Sequence, residues 1–272
     1  MTSPYDTYAS PLASRNASRE MLRLWSPRHK FNTWRRVWLA VAEAQHELTR
    51  DAPKPLVTAD QVEELRAVVQ RPGGITDEEM RAAERYEREL RHDVMAHVHA
   101  LGDSCPKAKG IIHLGLTSQD VVCNADFAVL ASALDLVRTK AARLILALAE
   151  VAHRWRAIPT LGFTHYQPAQ PVTVGRRLAM WASDLRLTLE RLDGQHPFHG
   201  ALVGSLWGIL RPRGLRGATG TQASFLSLIG DGHRIDQLER AVLHRTLDGV
   251  LRSFRRNNVV PPGADSGYSC GI

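Results

Sequence analysis

The chain of 272 residues is 44% hydrophobic and carries a formal charge of +7, enough apolar material for a substantial core in one or two domains. Its basic residues are spread through mixed-charge stretches such as EEMRAAERYERELRHD rather than gathered in an aromatic-rich patch, which argues against a nucleic-acid binder. Cys105, Cys123 and Cys270 are far apart and form no CxxC pair, so neither a zinc site nor a disulfide framework is indicated and a reducing, cytoplasmic compartment is expected.

The opening residues MTSPYDTYASPLASRN are polar and lack the apolar core of a secretory signal. No uncharged run approaches the roughly 18 apolar residues of a membrane span. From Phe31, FNTWRRVWLAVAEAQHELTR puts Trp34, Trp38, Val41 and Leu48 on one face with charges opposite, which predicts an amphipathic helix. A shorter helix fits Asp60 to Gln70 and ends at Pro72-Gly73-Gly74. Thr76 and Glu79 have capping-box spacing, and the helix they open is expected to run to about Leu101. A long apolar-periodic helix is expected from Val121 to Arg156, as in a bundle. Pro159 ends it, and a proline-rich turn over Thr160–Thr173 leads to a helix beginning near Val174. Residues 194–213 are rich in glycine and proline and would interrupt any helix. A last helix is expected over Ile235–Phe254, followed by a disordered tail at 255–272.

Polar, reactive side chains concentrate near the ends of these helices. Arg15 precedes the first of them. In RHDVMAHVH, residues 91–99, Asp93 and His97 have i,i+4 spacing and His92 and His99 fall on one face. HExxH is absent, however, and no third ligand is evident, so no metal is expected. Thr117 and Ser118 stand at the head of the long helix, where free N–H groups and the dipole favour an anion. Thr164-His165, with Gln167 and Gln170 nearby, offers an imidazole that can pass a proton near neutral pH. GATGTQASF, residues 217–225, is glycine-rich but lacks the GK[ST] ending of a P-loop.

Taken together and in this order, SPLASR, LRHDVMAHVH, KGIIHLGLTS, IPTLGFTHYQPAQPVTVGRR and GATGTQASF resemble adenylosuccinate lyase of the animal type, in the fumarase/aspartase superfamily. The resemblance implies an all-α fold: an N-terminal helical domain (1–116) and part of a long-helix bundle of the fumarase/aspartase type (117–254), with an atypical insert at 194–213. It implies a homotetramer whose active sites draw residues from three subunits. The implied reaction is elimination of fumarate from adenylosuccinate, giving AMP, and from SAICAR, giving AICAR, without any cofactor. Carried over by motif, His165 is the general acid. Arg91, His92 and Asp93 match a substrate-binding triplet, Thr117 and Ser118 a pair that holds the succinyl end, and Thr164 a neighbouring binding residue. Arg15 matches a nucleotide-binding arginine. The family's next residue is a tyrosine, and here Asn16 replaces it.

The resemblance also implies a base: a serine in a loop of pattern SSxMPYKxNP. These 272 residues contain no such motif. The expectation is therefore a shortened form, impaired as an isolated catalyst. The alternative is a non-catalytic isoform that associates with full-length subunits.

Overall fold

The computed structural model describes residues 10–193 and 212–255. The expected insert lies outside them as far as residue 211, and the tail lies outside them from residue 256. A five-residue π-helical turn, Leu12–Asn16, precedes α1 (Arg19–Leu24), which Ser18 caps by accepting the Met21 N–H. α2 (Pro27–Thr49) starts earlier than its apolar periodicity suggests, because Ser26 accepts the His29 N–H and Pro27 fits the first turn. α3 (Ala59–Val69) and α4 (Asp77–Leu90) each open with a full capping box, Thr58 with Gln61 and Thr76 with Glu79. α5 (Asp93–Ser104), α6 (Ser118–Arg154), α7 (Val174–Asp193), α8 (Ala223–Ile229) and α9 (Gly232–Arg255) complete the helices among the described residues. The fold is all-α, with one small hairpin among the described residues.

By internal contacts the described residues fall into two compact units. One holds residues 10–132 and 212–255, and the other holds 133–193. In the first, α2 is the central element and is buried on two sides. Trp34, Val37 and Trp38 pack with Val62, Leu65, Val94, Leu101, Ile112 and Val121. Ala40, Val41 and Ala44 face Leu215, Phe225, Ile235 and Leu238 instead. The single apolar stripe expected for α2 is therefore too narrow, and Arg35 on its supposed polar side is 1% exposed. The Arg35 guanidinium reaches Glu79 at 3.0 Å. Glu79 also accepts from Arg71, the Ser104 hydroxyl and the Thr76 N–H. One capping-box carboxylate thus becomes a buried ionic hub, paired as buried charges must be.

Two expectations need correction. The helix opened by Thr76 does not run to Leu101. Arg91 adopts a left-handed conformation (φ 52°) that ends α4, and His92 starts α5 afresh as its N-cap. His92 therefore lies before α5 rather than on a face shared with His99. The segment after Pro159 is not an irregular turn. β1 (Pro159–Thr164) and β2 (Gln167–Thr173) form an antiparallel hairpin, with Pro159 opposite Thr173 and Thr164 opposite Gln167. A two-stranded sheet has only edge strands, so its prolines sit without cost to an inner ladder.

In the second unit, α6 and α7 carry this hairpin between them. The Val174 and Gly175 N–H groups donate to the Ile158 and Trp155 carbonyls, each at 3.0 Å. Arg177 donates to the Leu161 carbonyl. These bonds fix where the hairpin leaves the helices.

Candidate active site

His165 and Tyr166 are the two turn residues of the hairpin, and both have positive φ, 48° and 61°. Such a turn matches the twist of the strands, but it favours Asn-Gly, because side chains with a Cβ are strained there. Placing histidine and tyrosine at the turn costs stability and pushes two rings outward. His165 is exposed and Tyr166 is 97% exposed. Thr164, the last residue of β1, is exposed beside them. The four non-glycine residues with positive φ among the described residues are Arg91, His165, Tyr166 and Gln222. All four fall in the motifs that the sequence singles out. Strain of this kind gathers where function, not stability, chooses the residue.

In the first unit, the N-termini of α5 and α6 meet. The His92 Nδ1 accepts the Met95 N–H at 3.3 Å, which leaves the proton of a neutral ring on Nε2. Nε2 lies 3.2 Å from the Ser118 hydroxyl oxygen. Asp93 Oδ1 is 3.8 Å from Nδ1, too long for a hydrogen bond, and it already accepts the Val94 N–H at 2.7 Å. His92 and Ser118 are thus joined, with Asp93 on the first turn of α5 and Thr117 immediately before α6. Arg91, His92 and Asp93 are exposed, while Thr117 and Ser118 are half-buried. This cluster can hold an anion through hydroxyls and free helix N–H groups.

Arg15 and Asn16 sit in the exposed Leu12–Asn16 turn. Among the described residues, no hydrogen bond links either of them to His92 or Ser118. His97, the i,i+4 partner of Asp93, points into the core, where Phe31 stacks on it at 3.7 Å. It is a packing residue and not part of the cluster.

Three residues near the cluster were not among the sequence candidates. His113 accepts the buried Trp38 indole N–H on Nδ1 at 3.1 Å, so its neutral ring presents an N–H from Nε2. Burial lowers its pKa and keeps it neutral. Asp120 is fully buried and accepts the Thr117 N–H at 3.1 Å. Asn124, one turn later, bonds the Gly214 backbone on both sides. The spacing Thr117-x-x-Asp120 is a capping signal, and it was the available clue to the second of these. His113, in the turn segment before α6, carries no local signal, because its partner Trp38 lies far away in the sequence on α2.

A family profile described as lyase matches residues 22–205. The adenylosuccinate lyase of Saccharomyces cerevisiae is 41% identical over 239 residues, covering 88% of this chain and 46% of that protein. The adenylosuccinate lyase of Schizosaccharomyces pombe is 42% identical over 241 residues, again covering 88% and 46%. The chain therefore spans about half the length of these relatives. Among solved structures, the 3-carboxy-cis,cis-muconate lactonizing enzyme of Pseudomonas putida superposes with a TM-score of 0.68 at 23% identity, over 86% of this chain and 48% of that one. That likeness concerns the fold alone. With the profile covering most of its length and these relatives more than 40% identical over most of it, this chain belongs to the lyase family and is similar to the family's adenylosuccinate lyases.

Proposed function

We propose that this chain is the acid-bearing part of an adenylosuccinate lyase. In this reading His165 protonates the departing nitrogen as the C–N bond breaks, while a base removes the proton from the adjacent carbon and the new C=C bond completes fumarate. Adenylosuccinate gives AMP, and SAICAR gives AICAR. Thr117 and Ser118 hold the succinyl end, and Thr164 is a further substrate-binding residue. His92 orients Ser118, Arg91 and Asp93 complete the binding triplet, and Arg15 approaches the nucleotide. Asn16 cannot supply the phenol that its family counterpart offers. The functional division is the one expected from the motifs, an N-terminal domain of 1–116 and a partial bundle of 117–254, and the location is cytoplasmic. The observation that carries the reading is the strained hairpin tip, which presents an otherwise unused imidazole to solvent.

The base serine is not among these 272 residues, and in the proposed site another subunit supplies it. The proposed assembly is an oligomer of the tetrameric type, in which several chains build each site. Exposed apolar side chains on α6 and α7, among them Leu144, Leu146, Met180 and Trp181, support such an assembly. The second reading, a non-catalytic isoform that joins full-length subunits, rests on the same missing serine. Assay of the purified chain for fumarate release tests the catalytic part. Loss of a general base costs about 10²–10⁴-fold, so no measurable turnover is expected. Full turnover that His165→Ala abolishes would contradict this reading and show that another group acts as base.

A further inference from the structure

One side chain fastens the loop after Pro212 to the start of α6, and the elimination chemistry makes no use of it. Asp120 is 0% exposed on the first turn of α6. Its Oδ1 accepts the Arg216 N–H at 3.0 Å, the Gly217 N–H at 3.2 Å and the Arg213 Nε–H at 3.3 Å. Its Oδ2 accepts the Gly217 N–H at 3.0 Å and the Thr117 N–H at 3.1 Å. Asn124 donates to the Gly214 carbonyl at 2.9 Å and accepts the Gly214 N–H at 3.0 Å. Further along the loop, Ser224 donates to the Gly115 carbonyl at 2.7 Å. Gln222 donates to the Leu215 carbonyl and to Glu239.

Capping α6 alone would need one acceptor for the Thr117 N–H. Asp120 spends both oxygens instead, and the excess goes to the turn at Arg216 and Gly217. Gly217 has φ +70°. Consecutive N–H groups beside a left-handed residue converge on one point and form a nest for an anion. Here a carboxylate of the same chain fills the nest. A buried carboxylate is costly unless donors surround it, and the five bonds meet that condition only while the loop is docked. The loop and the Thr117–Ser118 pair therefore share one anchor.

We infer that Asp120 is a positioning residue: by filling the nest of the Arg216–Gly217 turn and capping Thr117 at the same time, it holds the GATGTQASF loop against the anion-binding end of α6 and sets Ser118 toward His92. The inference rests on the proposed reading of Thr117 and Ser118 as the pair that binds the dicarboxylate end of the substrate. Asp120 touches no substrate in this account.

The test uses Asp120→Asn in the full 272-residue chain, because an amide cannot accept on both sides. Two readouts separate the latch from the function. Amide hydrogen exchange at Arg216 and Gly217 should accelerate at least about tenfold, the scale of one net hydrogen bond, while the amides of Trp34 and Trp38 in α2 keep their rates. Titration with fumarate, followed at the Ser118 amide resonance, should show affinity about tenfold weaker than in the parent chain. Unchanged exchange at Arg216 and Gly217, or an equal acceleration at Trp34 and Trp38, overturns the latch. Should Asp120→Asn not fold, Asn124→Ala loosens only the Gly214 end. It should move the Ser118 resonance without fumarate present, and an unmoved resonance overturns the inference. If the parent chain alone shows no fumarate-dependent shift, the exchange rates at Arg216 and Gly217 decide the latch, and the mixed-oligomer assay decides the functional reading.

Discussion

His97 is 4% exposed, stacked on Phe31 at 3.7 Å and edge-on to Trp34 at 5.6 Å. Burial, with Arg35 nearby, lowers its pKa from 6.5 to about 4. Above pH 6.5 the ring is neutral whether the chain is folded or not, and its contribution to stability is fully present. Between pH 6.5 and 4 the unfolded chain binds a proton that the folded chain refuses, so stability falls as the medium is acidified. The loss should reach on the order of 2–3 kcal/mol by pH 4. His29 and His113, also lowered by burial, add to it in the same direction. Urea midpoints measured from pH 7.5 to 4.5 check this. His97→Phe should flatten part of the slope, and an unchanged slope would mean that the ring is already protonated in the fold. A histidine spaced to suit a metal or catalytic pair thus proves to be a core residue. Spacing within one helix does not reveal which face the rest of the chain covers.

The hairpin is where local preference and use of the residue conflict most directly. A two-residue turn with both φ values positive favours glycine at its second position. Tyr166→Gly should therefore raise the thermal stability of the hairpin by about 1 kcal/mol, read as a higher melting temperature. A lower melting temperature would mean that the tyrosine ring makes a stabilising contact. The same conflict explains what was legible in the sequence. The Thr76–Glu79 box was plain, because its residues suit their positions and report it. The break at Arg91 was hidden, since an arginine in a left-handed cap looks like any charged helix residue. The strands were hidden because prolines and glutamines fill them and no Asn-Gly marks their turn. The Asp120 anchor was half visible: its helix-capping spacing is local, but its partners at 213–217 lie about ninety residues away. The motifs of the candidate site could be read from the residues themselves, whereas their pairings, such as His92 with Ser118, depend on which helix ends meet.

At the scale of the whole molecule, the second unit leaves large apolar side chains uncovered: Leu146 is 71% exposed, and Met180 and Trp181 are more than half exposed. Scattered apolar residues are normal at a surface, and large ones along two helices are what the proposed assembly would cover. The chain should self-associate at micromolar concentration, and Leu146→Glu with Trp181→Glu should weaken that association at least about tenfold. Sedimentation at several concentrations decides it, and a non-associating monomer in the parent chain contradicts it. The central claim is that this chain lends its imidazole to a site completed by other subunits. The most direct test mixes it with a full-length adenylosuccinate lyase whose own acid histidine has been replaced by alanine, a mutant expected to be nearly inactive because its leaving group goes unprotonated. Co-purification first establishes that mixed oligomers form, and fumarate release is then measured. The account predicts that activity returns with this chain and does not return with its His165→Ala variant. Mixed oligomers that form and recover no His165-dependent activity would contradict it.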